Sequence, residues 1–197
     1  MQRSALGYVR AADMDISGES GQLLPIAPRT QTAGQHLKSA CLEGFAAGTV
    51  AGLLSGLPST VHALATGRDP LAAARAAGNL LLPAEAGSRA LLFAGGIAHV
   101  ALSLGWGTVL AVTVRRTSLP SVAVGLAGGA AIAALDLGLL AHGPIGRRWP
   151  LIRALPVGPQ VADHLAFGAV AGAFLGGSRR RCRGATPQHP PGLHGRG

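Results

Sequence analysis

The amino-acid sequence predicts an all-α membrane protein in which four transmembrane helices form an antiparallel bundle. Charged residues make up only 13% of the 197 positions, whereas soluble proteins average about a quarter. The mean hydropathy is positive, at +0.37. The apolar residues are concentrated in four stretches, at positions 44–64, 89–114, 119–142 and 161–177.

The two central stretches satisfy the length criterion for spanning helices. Between Ala90 and Val114 there is no Asp, Glu, Lys or Arg, and between Thr117 and His142 there is only Asp136. A run of about 18 such residues is typical of a membrane span. The first stretch contains more polar residues and the fourth is close to the minimum length, but both are also predicted to span.

The remaining segments define three regions. Residues 1–40 lack a sustained apolar period and are predicted to be a disordered cytoplasmic tail. Residues 41–178 form the four-helix transmembrane domain, and residues 179–197 form a second disordered tail that is basic and rich in Pro and Gly.

The connections between the spans indicate how the helices are arranged. Two prolines bracket residues 70–83, a helical stretch that is too short to cross a bilayer and is predicted to be a short interfacial helix. The second and third spans are separated only by residues 115–118, and such a short connection predicts antiparallel neighbours.

The net charge of +9 raises the question of a nucleic-acid partner. The arginines cluster directly after the second and fourth spans, at Arg115–Arg116 and Arg179–Arg181, where anionic lipid headgroups lie. Aromatic residues amount to 4%, too few for a platform on which bases stack. The predicted partner is therefore the lipid bilayer and not nucleic acid.

The basic residues also predict the orientation. If both termini are cytoplasmic, eight Lys or Arg residues lie near the inner ends of the spans and six lie outside, as the positive-inside rule favours. The inner residues are Arg29, Lys38, Arg115, Arg116, Arg179, Arg180, Arg181 and Arg183. The expected location is a cell membrane, specifically a bacterial inner membrane.

Two rows of glycine are predicted to mediate helix packing. In lipid, small residues allow helix backbones to approach closely, and residues four apart share one helix face. The rows could also support a homo-oligomer or a larger membrane complex. They consist of Gly44, Gly48, Gly52 and Gly56 in the first span and Gly168, Gly172 and Gly176 in the fourth.

A polar cluster is predicted in the outer half of the bundle. His99 and Asp136 are placed at depths that allow them to meet, and intramembrane ionisable groups commonly serve function. One interpretation is a site for a proton or a cation, and the other is a hydrogen bond that pins two helices. The remaining members of the predicted cluster are His62, His142, Asp163 and His164.

No metal, cofactor or catalytic residue is predicted for this cluster. None of its possible ligands stand three or four residues apart on one helix, the spacing that would place two ligands together. Two histidines at matching depth could ligate haem, but the sequence disfavours this because the inner half has no histidine for a second electron-transfer site.

The run Asp163-His164-Leu165-Ala166-Phe167-Gly168-Ala169-Val170-Ala171-Gly172, together with an Asp deep in the preceding span, resembles uncharacterised bacterial four-span integral membrane proteins. The resemblance covers about 130 residues and consists of topology and Gly/Ala patterning. It implies a four-span fold and assigns no activity or active residue.

Taken together, these patterns favour a structural or accessory membrane component that packs through Gly-rich helix faces. The alternative is a small proton- or cation-linked transporter that uses an intramembrane site of Asp136 and His99. A membrane-embedded enzyme is a third interpretation, and the sequence favours it less than the other two because no catalytic signature is present.

Overall fold

The structure is a computed structural model that describes residues 33–184, and every regular element in this range is helical. Most of the predicted tails, at 1–32 and 185–197, lies outside the described residues. The elements in chain order are α1 (Ala33–Ser55), α2 (Leu57–Ala65), α3 (Ala72–Gly78), α4 (Ser88–Arg116), α5 (Ser121–Ala133), a π-helical segment (Ala134–Ala141), a 3-10 turn (Pro144–Arg148), α6 (Pro150–Arg153) and α7 (Val157–Gly184).

Three helical stretches are long and apolar enough to cross a membrane, at Lys38–Ala65, Ser88–Arg116 and Ser121–Leu139. These stretches correspond to the first three predicted spans. The fourth predicted span, residues 161–177, lies within α7, which is not among the three. Since α1 begins at Ala33 and α7 ends at Gly184, helical structure extends past the predicted domain boundaries at 41 and 178.

The first of these stretches is interrupted at the junction of α1 and α2. Pro58 lies in the first turn of α2, and proline begins a helix more readily than it continues one because it has no N–H to donate. The interruption also leaves the N–H groups of the first turn of α2 without partners in their own helix.

The distribution of side-chain size supports a lipid environment. Ala47, Ala51 and Ala171 are fully buried, whereas Leu53 is 79% exposed and Phe93 is 74% exposed. In water, large apolar side chains drive folding by leaving the solvent. In lipid that drive is absent, so small residues can occupy helix contacts while large apolar residues face the hydrocarbon. The core between the helices also contains large side chains, such as Leu110, Phe167 and Leu175.

Helices α1 and α4 approach each other along the first glycine row. A Cβ atom on Gly44 would lie 2.5 Å from the Cα of Thr108, and a Cβ on Gly48 would overlap the carbonyl oxygen of Ser103. On α4, Gly107 faces the same row, and a Cβ there would overlap the backbone of Gly44. Only glycine therefore fits this backbone contact.

The first row is shorter than the sequence predicts. A Cβ on Gly52 would lie 2.6 Å from the Ser103 hydroxyl oxygen, but a Cβ on Gly56 would meet nothing within 4 Å. Gly56 lies at the α1–α2 junction, beyond the end of α1, and it makes no close approach to α4.

Helices α5 and α7 meet along the second row. Cβ atoms on Gly125 and Gly168 would each overlap the carbonyl oxygen of the other residue. A Cβ on Gly172 would lie 2.5 Å from the Ser121 carbonyl oxygen, and one on Gly176 would lie 3.3 Å from the Ser121 Cβ. The backbones thus touch at Gly125 and Gly168 and separate slightly toward the end of α7.

The predicted short helix between the first two spans is α3, and it packs against α4. A Cβ on Gly78 would overlap the carbonyl oxygen of Leu91, and one on Gly95 would overlap the carbonyl oxygen of Ala74. The same glycine-mediated contact therefore fixes this short helix as well as the long ones.

The glycine contacts predict a matched pair of substitutions within one row. Gly48→Leu should destabilise the folded protein by at least about 3 kcal/mol, because the new side chain would meet the backbone of α4 rather than a movable side chain. Gly56→Leu introduces the same side chain into open space and should change stability by less than about 0.5 kcal/mol. Thermal unfolding in detergent, followed by tryptophan fluorescence, measures both; equal destabilisation by the two variants would contradict the contact.

Candidate functional site

Asp136 lies in the π-helical segment that continues α5. At the end of this segment, the His142 backbone N–H donates to the Leu137 carbonyl oxygen, five residues earlier, at 3.1 Å. Each π-type turn contains one more residue than an α-helical turn, and such turns frequently occur at functional sites. The sequence predicted one regular helix through residue 142, so the widened turn is a difference that the structure reveals.

Asp136 pairs with His164 of α7. The Oδ2 atom of Asp136 lies 3.1 Å from the Nε2 atom of His164, and the two side chains are 28% and 21% exposed. The Nδ1 atom of His164 lies 2.7 Å from the Gln160 carbonyl oxygen. Since a carbonyl can only accept, Nδ1 carries a proton and donates it there.

This tautomer determines where the proton lies in the Asp136–His164 hydrogen bond. With Nδ1 protonated, Nε2 either donates to a carboxylate, as part of a charged imidazolium, or accepts from a protonated carboxyl group. Exactly one proton lies between the two residues in either state. The pair can therefore hold a proton and presents no net charge to its surroundings.

Asp163, the residue before His164, contacts a different helix. Its Oδ1 atom accepts a hydrogen bond from the Ser59 backbone N–H at 2.9 Å. Ser59 lies in the first turn of α2, where backbone N–H groups lack partners within the helix. Asp163 thus caps α2 from α7, and its negative charge is favourable at a helix N-terminus.

His99 forms its hydrogen bond with α1, whereas Asp136 bonds to His164, so the bonds differ from the expected Asp136–His99 pairing. The Nε2 atom of His99 donates to the Gly52 carbonyl oxygen at 2.9 Å, so it links α4 to α1, and the residue is exposed rather than enclosed. The prediction placed both residues at similar depths but could not show which helices touch. Because α5 packs against α7 through glycine, Asp136 is directed to His164.

The two other predicted histidines take no part in these interhelical bonds. The Nδ1 atom of His142 donates to the Leu137 carbonyl oxygen at 2.7 Å, within the same segment. His62 lines a small cavity of about 110 Å³, which Ser59 and Gln160 also line. This cavity therefore borders the backbone groups that hold Asp163 and His164.

Of the predicted residues, the structure brings Asp136 and His164 into contact. Asp163 bonds instead to the Ser59 backbone N–H, and within the described residues His99, His62 and His142 form no hydrogen bond with the Asp136–His164 pair. The partners that sequence reasoning missed are the backbone groups of Ser59, Gln160 and Gly52. Backbone atoms leave no signal in a residue pattern, and only the Pro58 interruption indicated free N–H groups nearby. Within residues 33–184, no group of three or more His, Cys, Asp or Glu side chains is placed to hold a metal ion.

Comparison with known proteins yields no match to a family model, to a curated protein or to a solved structure.

A double-mutant cycle tests the observed pairing. Asp136→Asn and His164→Ala should show a coupling free energy of about 1 kcal/mol, typical of polar contacts between membrane helices. The control cycle combines Asp136→Asn with His99→Ala and should give less than about 0.3 kcal/mol, because His99 bonds to Gly52 instead. Unfolding in mixed detergent micelles measures both cycles; stronger coupling to His99 than to His164 would contradict the structure.

Proposed function

We propose that the protein is a multi-pass integral membrane protein in which α7 is a fourth span alongside the three candidate spans. Helix α7 has 28 residues, about 42 Å at 1.5 Å per residue, and the hydrocarbon core is about 30 Å thick. Its polar residues support this assignment, since Asp163 and His164 lie near its beginning and bond to protein groups. Arg179–Arg181 lie near its end, where headgroups are expected.

Three contacts support an antiparallel bundle. Near the beginning of α1, the Ser39 hydroxyl accepts a hydrogen bond from Arg115 near the end of α4. Arg179, near the end of α7, donates to the carbonyl oxygen of Val114. At the opposite end, Ser59 bonds to Asp163 near the beginning of α7. We name the end that holds Arg115 and Arg179 the basic end, and the positive-inside rule assigns it, with both termini, to the cytoplasm.

The proposed role is that of a non-enzymatic structural or accessory component of the membrane. The observation that carries it is that three polar contacts at depth each tie two helices together: Asp136 to His164, Asp163 to the Ser59 N–H and His99 to the Gly52 carbonyl. Hydrogen bonds between polar groups on different helices stabilise helix association in lipid. We therefore assign these polar side chains a structural role, which is to hold the helices together.

The surface for a partner differs from the one that the sequence suggested. Most glycines of the two rows pack within the chain, α1 against α4 and α5 against α7, which favours a different face for a second protein. The exposed apolar face of α4 remains, with Phe93, Ile97 and Val100 at 50% exposure or more. A homo-oligomer or a larger complex would assemble through such a face.

Topology mapping tests the four-span proposal. Reporter fusions after Gly184 and after Thr117 should report the cytoplasmic side, and fusions after Gly67 and after Gly146 should report the opposite side. Paired phosphatase and fluorescent-protein fusions in cells give this readout. A fusion after Gly184 that reports the opposite side from the one after Thr117 would show that α7 does not cross.

The second candidate function is proton- or cation-linked transport, now with His164 in place of His99 as the partner of Asp136. The observation that favours it is the single proton in the Asp136–His164 contact, within the π-helical turn and near the cavity that Ser59 and Gln160 line. Ionisable pairs inside membrane proteins recur in proton relays.

Flux through reconstituted vesicles separates the two candidate functions. If the protein is a transporter, vesicles with an imposed pH gradient should show protein-dependent flux that Asp136→Asn reduces at least about tenfold, because the exchangeable proton is lost. His142→Gln is the matched control and should retain flux, since His142 bonds only within its own segment. Flux no greater than that of protein-free vesicles would reject transport and leave the structural role.

A further inference from the structure

An apolar groove of about 540 Å³ runs between α4 and α5. Trp106, Leu110 and Thr113 line it from α4, and Ala127, Ala131 and Leu135 line it from the other side. Whereas α1 packs on α4 and α5 packs on α7 by backbone contact, α4 and α5 leave this space between them. The groove is therefore a consequence of which helix pairs carry the glycine rows.

The groove is at least as long as one leaflet of a bilayer. It extends along α4 from Thr117 to Trp106 and along the other side from Leu119 to Leu135, about 16 Å and about 24 Å at 1.5 Å per residue. Half of the hydrocarbon core is about 15 Å. An acyl chain whose headgroup lies at the basic end would thus lie in the groove over the whole depth of its leaflet.

The end of the groove at Thr117 is polar and basic. The Thr117 Oγ1 atom is buried and has no hydrogen-bond partner within the described part of the chain. Leaving a buried hydroxyl unpaired is costly, so this atom points to a missing acceptor. Arg116 is exposed beside it on the last turn of α4, and Arg179 lies against the Val114 carbonyl one turn away.

We propose that this groove binds one acyl chain of an anionic phospholipid, with the phosphate and ester oxygens at Thr117 and Arg116. The lipid supplies the acceptor that the Thr117 hydroxyl lacks. Its negative charge complements the arginines at the basic end, and each such cation strengthens anionic-lipid binding about fivefold. The bound chain completes the interface between α4 and α5, so this lipid should stabilise the fold.

The test compares lipids that share the same acyl chains and differ in headgroup charge. Phosphatidylglycerol added to the detergent-purified full chain should raise the thermal midpoint by several degrees, since a ligand of the folded state stabilises it by mass action. Phosphatidylcholine should have less than half of this effect. Native mass spectrometry should show one phosphatidylglycerol retained per chain.

Two pairs of variants assign the effect to the groove. Ala127→Phe places a ring in the groove and should abolish the shift, whereas Ala130→Phe puts the same ring on an exposed position of α5 that does not line it and should leave the shift intact. Arg116→Gln should weaken phosphatidylglycerol about fivefold. Arg89→Gln, at the other end of α4, should not weaken it.

The second pair keeps the proposal falsifiable if Ala127→Phe fails to fold, because Arg116 is exposed and its replacement leaves the groove intact. Equal shifts with the two lipids, or equal weakening by Arg116→Gln and Arg89→Gln, would overturn the proposal. A lipid-free dimer in detergent that Ala127→Phe converts to a monomer would likewise overturn it, by showing that a second copy occupies the groove. Failure of lipid binding would leave the four-span topology untouched, since the fusion reporters measure that separately.

Discussion

The whole arrangement depends on backbone contact between helices at glycine. In lipid, helices gain nothing by hiding apolar surface from one another, so their association rests on dispersion forces and hydrogen bonds between closely packed surfaces. At Gly48 against Ser103 and at Gly125 against Gly168, the approach is so close that any Cβ would overlap a carbonyl oxygen. These contacts select the helix pairs α1–α4 and α5–α7, and the other features follow from that selection.

The position of the polar site illustrates this dependence. Gly129 faces the carbonyl oxygen of His164, and Asp136 lies seven residues further along, in the π-helical segment. Side chains on a helix point back toward its N-terminus, so the His164 ring extends from this contact toward the beginning of α7. It thereby meets Asp136, and the widened π-helical turn lies at the point of contact.

The pairing of α1 with α4 and of α5 with α7 also determines which side chains lie on the surface of the protein. Because α4 uses its small residues against α1, some of its large side chains, including Phe93 and Val100, face outward, whereas Leu110 and Val114 are buried. Because α5 uses its glycines against α7, the surface between α4 and α5 remains open as a groove that ends at the Thr117 hydroxyl, which has no partner among residues 33–184. The lipid-facing surface and the proposed lipid site are thus two results of one packing scheme.

Much of the architecture could be predicted from composition and spacing. The uncharged run from Ala90 to Val114 specifies a long apolar helix by itself, since every backbone group of a membrane helix is satisfied within the helix. The intervals of four between Gly44, Gly48 and Gly52 likewise place these residues on one face, because the helical repeat is a local property. Gly56 follows the same interval but lies beyond the end of α1, where that repeat is interrupted.

The sequence by itself therefore determined that the chain forms apolar helices with glycine-rich faces and a few ionisable residues at depth. Only the tertiary structure decided that Asp136 pairs with His164 and that His99 bonds to the Gly52 carbonyl. Depth along a helix can be calculated from residue number, but the choice of neighbour depends on how all the helix faces fit together. Backbone partners such as Gly52 are chemically identical at every position, so no residue pattern can mark them in advance.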